Sequence, residues 1–398
     1  MTIAILEICA STHYTLTNAL IKTYSTEPDN QIVVYTTEFI AKVIREGGTS
    51  EQTRLVVFNE TQDAMDFLKN IENTPFDRLH ICTIAGHFKA FKAFKPNVKE
   101  LFFHIHDIDT WFDASFKNSV KNALYNIKHY PDKAREVARF GREVWVRNPA
   151  RALIFNNLMR FNPYFVVLSE SQKKYLSQFV ANDKIIAFPS LINEGTPKTI
   201  TKSEQEKGKT RICIPGMVTD TRRDYTGLFK ILDSILPQIK GKLVFDFLGF
   251  VEKRELNLLH KLQELEGQGL DVLYSAEFVD AVTFDASLDK ADILLNNQKV
   301  NVSHTGKYGL TKESGLLFNI VRGAKPAIFP AAYAVDKEFE DVLMYYQSDK
   351  ELIDILLGLA DGSISMDKSK AKAEEMAMNY TPKNLYKRLV KGTMNCKL

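Results

Sequence analysis

The chain has 398 residues, of which 45 % are hydrophobic and 25 % charged, with 52 basic against 49 acidic side chains and a formal net charge of +3. These proportions are globular, suit about two domains and exclude a chain that is disordered as its main state. The near-even charge balance also argues against a dedicated nucleic-acid binder, which carries a marked basic excess.

The first apolar run, 2–8, reads as a strand; it holds Glu7 and has no basic residues before it, so it is not read as a signal peptide. The turn Ser11-Thr12-His13 leads into a helix that runs to about Tyr24. Further strands are expected at 31–35, 53–58, 78–84, 100–105, 164–168 and 184–188, with a helix at 63–70. Segment 193–209, dense in Gly, Thr, Lys and Glu and without an apolar period, reads as a linker. Beyond it the alternation restarts, with strands at 211–214, 242–248, 271–274, 292–295 and 327–329. Helical patterns fill the intervals at 228–239, 255–265, 284–290 and 313–321, and three more follow at 350–360, 367–379 and 382–391. Short apolar runs alternating with helices predict an α/β fold of two Rossmann-like, doubly wound domains with a cleft between them. The expected division is 1–192, a linker at 193–209, 210–378, and a C-terminal helical stretch at 379–398 that packs back on the first domain. In such sheets ligands sit at the carboxyl ends of the strands.

Several chemistries find no motif. The four cysteines, Cys9, Cys82, Cys213 and Cys396, make no C-x-x-C pair, which argues against a zinc ribbon or a disulfide scaffold and fits a reducing compartment. No G-x-G-x-x-G follows a strand, and Gly208-Lys209-Thr210 lacks the first glycine of a phosphate loop. No uncharged stretch of about 20 apolar residues is present, so a cytoplasmic protein is expected, with any membrane contact peripheral.

Two segments carry anion-binding chemistry. In 304–330, a Gly-rich polar loop leads into an apolar helix expected to begin near Glu313 and end at Gly323. Free N–H groups and the helix dipole at such a start suit a diphosphate, and Lys312 adds a formal charge there. An ordinary capped helix, with Thr311 or Ser314 as N-cap and Gly323 as C-cap, is the plain structural alternative. In 213–225, a strand ends at Pro215-Gly216 and the next loop carries Arg222 and Arg223, whose guanidinium forks suit phosphate oxygens. The alternative is a solvated pair bridging to Asp220 or Asp224.

The strand–Pro-Gly–loop–Arg-Arg-Asp-Tyr–helix at 211–232, the loop YSAEFVD at 274–280 and YGLTKESGLLFNIVRGAKPAIFP at 308–330 together resemble the donor-binding domain of GT-B glycosyltransferases. The resemblance covers the C-terminal half and extends loosely through the N-terminal half. It is closest to the retaining group with paired glutamates in its donor loop. Laying 323–326 on that group's closing turn puts those positions near Leu310 and Phe318, with Glu313 the only acid in the loop. The resemblance implies a donor site in which Gly216 and Arg222 or Arg223 meet the diphosphate. Lys312, Ser314 and Gly315 form the helix start at the phosphates, Glu313 bonds sugar or ribose hydroxyls, and Phe278 frames the base. The implied co-substrate is a nucleotide diphosphate sugar of UDP or GDP type, with no further cofactor. The implied activity is metal-independent transfer of a hexose to a glycan, lipid-linked or protein acceptor. A nucleotide-sugar 2-epimerase and a non-catalytic glycan- or protein-binding scaffold of the same fold remain alternatives.

On the acceptor side, His13 and His106 each follow a strand, and either suits a catalytic base or a group that orients the acceptor. A hydrogen-bonded structural role is the alternative for both. Asp107-Ile108-Asp109 spells the D-x-D of metal-dependent GT-A enzymes, but two Rossmann-like halves point away from that fold, so the match is read as coincidence and no metal site is expected. Finally, 116–160 leaves the βα rhythm and holds ten basic residues against three acidic ones, a net +7 with Phe, Trp, Leu and Ile interleaved. Such a helical insert suits anionic lipid headgroups at the inner face of a membrane or an anionic glycan, or is simply a solvated helical pair. Nucleic acid is not an expected partner.

Overall fold

A computed structural model describes residues 1–9, 13–48, 50–59, 61–129, 132–195 and 208–394. Most of the expected linker (196–207), the turn residues Ser11 and Thr12, and Cys396 lie outside the described residues. The chain divides into two compact units: Met1–Ile192 with Ser303–Glu313 and Thr381–Leu398, and Asn193–Val302 with Ser314–Tyr380.

The first unit is built on a parallel sheet of seven strands. These are β1 (Thr2–Glu7), β2 (Gln31–Thr37), β3 (Thr53–Phe58), β4 (Phe76–Ile81), β5 (Val98–His104), β6 (Tyr164–Val167) and β7 (Ile185–Ala187), in the order β3-β2-β1-β4-β5-β6-β7. The second unit has a parallel sheet of β8 (Thr210–Cys213), β9 (Leu243–Phe250), β10 (Asp271–Ser275), β11 (Ile293–Leu295), β12 (Ala327–Pro330) and β13 (Leu343–Tyr346), in the order β10-β9-β8-β11-β12-β13. The α/β class and the two Rossmann-like sheets agree with the sequence reading.

Burial explains why these runs become central strands. From Ile3 to Leu6 every side chain of β1 is fully buried, as expected for a strand covered by helices on both faces. One face of this sheet packs Leu6, Leu79, Ile81, Leu101, Phe103 and Phe165 into a single core. On the opposite face lie Arg78, His80, Phe102 and His104, with Tyr24 from the Tyr14–Tyr24 helix and Tyr386 and Thr393 from the Pro382–Met394 helix. In the second unit Ile212, Ile214, Phe245, Phe247, Ile293 and Leu295 are buried against the Tyr225–Ile239 and Leu256–Gly267 helices.

The helix expected at 313–321 spans Gly315–Gly323 and buries Leu316 through Val321 without interruption. Its C-cap differs from expectation. Ala324, not Gly323, takes the left-handed conformation, at φ 49°. A Cβ on Gly323 would come within 3.1 Å of Leu288 Cγ, so the glycine serves close packing and the turn falls one residue later.

Candidate functional site

In each sheet the strand order reverses once, between β1 and β4 in the first unit and between β8 and β11 in the second. Loops leaving the carboxyl ends of such a pair diverge to opposite faces and open a crevice. Both crevices hold polar groups that a purely structural turn does not need.

In the first unit the group is assembled from β1, β4 and β5. Glu7, at the end of β1, is fully buried; its Oε1 accepts from the Cys9 amide at 2.9 Å. Its Oε2 lies 3.4 Å from His13 Nδ1, and the same nitrogen meets the Thr83 hydroxyl. His13 and His106, which sequence places 93 positions apart, are ring neighbours with centroids 4.2 Å apart. His106 Nε2 donates to the Cys82 carbonyl at 2.8 Å, which leaves its Nδ1 as the acceptor. Burial, together with the nearby His13, lowers the His106 pKa to about 4, so this imidazole is neutral at physiological pH. Burial, and then the Glu7 charge, pushes the neighbouring Cys9 thiol up to about 11 and leaves it a poor nucleophile.

Behind this cluster runs a buried polar seam. Arg78 pairs with Glu100 through Nε at 2.9 Å and donates from Nη2 to the Thr393 hydroxyl at 3.0 Å. The Tyr24 hydroxyl meets His80 Nε2 at 2.7 Å. His80 Nδ1 in turn meets His104 Nε2 at 2.9 Å, one of the two nitrogens carrying the shared proton. Burial, then Arg78 beside His80 and the other imidazoles beside His104, holds both rings well below the ordinary histidine range. The unfolded chain therefore takes up protons below about pH 6.5 that the native state refuses at His80, His104 and His106, in the case of His106 down to about pH 4. Native stability is complete above about pH 6.5 and falls as pH drops towards 4, by up to about 1.4 kcal/mol per pH unit for each group. Urea midpoints between pH 7.5 and 4.5 should show this fall, and His104→Gln should make it shallower. An unchanged slope in that variant would place the acid sensitivity elsewhere.

In the second unit the loop after β8 runs along β9, with Gly216 N donating to Leu248 O at 2.7 Å and Val218 N to Phe250 O at 3.0 Å. The approach is backbone to backbone: a Cβ at Gly249 would stand 2.4 Å from the Gly216 carbonyl oxygen. Gly216 itself adopts φ 113°, and a side chain there would strike Arg223 at 2.5 Å. Arg223 is buried and committed to its own chain, donating to the Pro215 carbonyl and to Asn297 Oδ1. Arg222 is exposed, and among the described residues no carboxylate lies within ion-pair distance of it. Asp224 N donates to Asn297 O and Lys299 N to Arg222 O, which ties the β8 and β11 loops across the switch point.

Asn296, Asn297 and Gln298 follow β11 and are at most 9 % exposed. Asn296 Nδ2, Asn297 Nδ2 and Gln298 Oε1 have no hydrogen-bond partner among the described residues. Three such groups in consecutive residues are costly in a native fold unless a ligand or ordered water meets them. Ser314 caps the Gly315–Gly323 helix by accepting from Leu316 N at 3.1 Å, and its own amide donates to Tyr333. Gly315 is exposed, with open space where a Cβ would be. Phe278, after β10, is 72 % exposed and lies beside Phe250.

The structure does not place the three expected cations in one unit. Lys312 and Glu313 belong to the first unit, in the segment Ser303–Glu313. There Lys312 Nζ lies 2.7 Å from Asp107 Oδ1 and 3.6 Å from Asp109 Oδ1. Burial alone would lower the Lys312 pKa, but the two carboxylates raise it, so the lysine is a held countercharge rather than a free phosphate ligand. Thr305 donates to Asp109 at 3.0 Å, and Ile108 N to Thr311 O at 2.9 Å. The D-x-D carboxylates are thus engaged by Lys312 and Thr305. Among the described residues no group of three or more His, Cys, Asp or Glu side chains is placed to hold a metal ion. Sequence reasoning missed Glu7, Thr83 and the run 296–298. Three consecutive amides at the carboxyl end of an apolar strand were the available signal for the last.

No protein-family model matches the chain, and no curated protein matches it in sequence. Solved structures do match it in fold. Anabaena HepE, crystallised with UDP, superposes with a TM-score of 0.63 at 11 % identity over 100 % of both chains. A glycosyltransferase from Rickettsia africae gives 0.60 at 14 % identity, covering 100 % of this chain and 98 % of that one. A putative UDP-N-acetylglucosamine 2-epimerase from Listeria monocytogenes gives 0.55 at 11 %, covering 100 % and 96 %. The chain has the GT-B fold.

Proposed function

We propose that this chain transfers a hexose from a nucleotide diphosphate sugar, of UDP or GDP type, to a hydroxyl of a glycan, lipid-linked or protein acceptor, without a metal ion. The observation that carries the reading is the Glu7–His13 pair at the first unit's switch point, a base with its orienting carboxylate. Thr83 and Glu7 hold Nδ1, which leaves Nε2 to take the acceptor proton as the new C–O bond forms. His106, neutral and fixed by the Cys82 carbonyl, packs against that ring and orients it. The bond from the sugar to the diphosphate breaks, and the leaving charge falls to Arg222 and to the N-terminal amides of the Gly315–Gly323 helix. Asn296, Asn297 and Gln298 bond the donor, and Phe278 stacks on its base. The fold neighbours support a donor of this class, since HepE was solved with UDP-glucose.

A thermal-shift screen of UDP-, GDP-, ADP- and CMP-sugars tests the donor side. One nucleotide family should raise the melting temperature, and excess EDTA should change neither binding nor turnover. Arg222→Ala and Asn297→Ala should each weaken the selected donor about tenfold or more, the worth of one charged or buried hydrogen bond. Unchanged affinity in both would overturn this placement of the donor.

A second reading is a nucleotide-sugar 2-epimerase, favoured by the same cluster of Glu7, His13 and His106 and by the Listeria neighbour. Incubation with donor alone separates the two, because an epimerase converts it with no acceptor present.

A further inference from the structure

The insert at 116–160 inverts the usual rule for a surface helix. The Phe116–His129 helix has no buried residue at all. The Lys133–Arg142 helix buries only Glu136, whose Oε2 accepts from Asn126 at 3.0 Å. A π-helical turn, Glu143–Arg147, joins it to the Asn148–Met159 helix and also buries nothing. The Asn148–Met159 helix anchors the insert by burying Ala150, Ile154 and Leu158, whereas large apolar side chains before it face water: Trp145 is 77 % exposed, Phe116 65 %, Leu124 63 %, Val146 57 % and Val137 55 %. A concentration of exposed large apolar groups marks an interaction surface rather than ordinary scatter.

Charge identifies the partner's chemistry. All three acids of the insert are engaged internally. Glu143 pairs with Arg147 and Arg151, Glu136 with Arg139, and Asp132 caps a helix by accepting from Arg135 N. Among the described residues no carboxylate lies within ion-pair distance of Lys117, Lys121, Lys128, Arg142 or Arg160. The face is therefore both apolar and cationic. A second copy of the chain suits it poorly, because two inserts of net +7 would repel. Single-stranded nucleic acid prefers successive stacking aromatics along a groove, and among the described residues of the insert only Phe116 and Trp145 are strongly exposed aromatics. The interface of an anionic bilayer offers acyl chains for the apolar groups and phosphates for the cations at adjacent depths.

We propose that this insert docks the protein on an anionic membrane surface, with Trp145 and Val146 at the π-helical turn as the inserting apex. The surface does not depend on the sugar chemistry, and it stands or falls separately from the donor site.

Co-sedimentation with vesicles tests it, using phosphatidylcholine alone against phosphatidylcholine containing about 30 % phosphatidylglycerol. Binding is expected to the anionic vesicles at low salt, weaker by at least about tenfold in 0.5 M salt or with phosphatidylcholine alone. Trp145 emission should shift to the blue on binding, and Trp145→Phe should abolish that shift. Trp145→Ser with Val146→Ser should weaken binding at least about tenfold while far-ultraviolet circular dichroism and donor affinity stay unchanged. No binding to anionic vesicles at low salt would overturn the proposal, and so would binding that survives the double substitution. A concentration-dependent dimer, or capture of an acidic protein in place of vesicles, lost in the same variant would assign the face to that partner instead.

Discussion

Arg211→Met is expected to destabilise the second unit by about 3–5 kcal/mol, the usual cost of leaving one buried charge without its partner. Arg211 lies on the central strand β8. Its Nη2 donates to Asp246 Oδ2 on β9 at 2.7 Å, and its Nε to the same oxygen at 3.2 Å. Both side chains are at most 7 % exposed. Ser287 completes the network, accepting from Arg211 at 2.7 Å and donating to Asp246 at 2.6 Å. Methionine keeps much of the aliphatic volume but removes every donor, so Asp246 is left with Ser287 alone in a site closed to water. For a unit of this size the loss corresponds to a melting shift of roughly 10 °C. It should appear as an early transition of the second unit, not as a uniform shift of the whole curve. Arg211→Met with Asp246→Leu should recover most of the stability, because a matched apolar pair escapes the desolvation cost of both charges. A double variant as weak as the single one would show that packing, not charge, dominates at this position.

The strands of both sheets were legible because parallel central strands are continuous apolar runs bounded by turn residues. Thr53–Phe58 is observed with the expected limits. Strand β13, Leu343–Tyr346, was missed: it has four residues, sits at the sheet edge and is only partly buried. Helices Glu38–Glu46, Phe88–Ala93, Ile108–Phe112 and Glu170–Leu176 were missed as well. Each spans nine residues or fewer, too little for a 3.6-residue period to stand out. At the candidate site, sequence pointed to His13 and His106 because they follow strands, but only the sheet order brings their rings into contact. Glu7 looked like a charge interrupting an apolar run, and Thr83, which meets the same His13 nitrogen, is 76 positions away. Lys312 shows the opposite failure. A cation before a helix start invites a phosphate, yet its nearest carboxylates come from positions 107 and 109, which no local pattern links to it.

His13→Asn is expected to lower turnover by about 10²–10⁴-fold, the range for removing a positioned general base, while donor affinity is unchanged. Asparagine keeps a group able to bond Thr83 and Glu7 but cannot take a proton. Release of nucleoside diphosphate from the donor chosen by the thermal screen gives the rate, with water as acceptor until the natural one is known. Glu7→Gln should lower turnover by less. The imidazole remains, but its Nδ1 loses the carboxylate that favours the reactive tautomer and stabilises the imidazolium formed during the step. His106→Asn should raise the acceptor KM more than it lowers kcat, because His106 orients a neighbouring ring and is itself too weak a base, at a pKa of about 4, to hold a proton at neutral pH. The split between the two constants also bears on stereochemistry. If His13→Asn raises the acceptor KM and leaves kcat intact, the side chain only positions the acceptor, and the proton passes to the departing diphosphate, as a front-face, retaining displacement requires. A fall in kcat with KM unchanged places proton removal in the transition state and points to displacement with inversion.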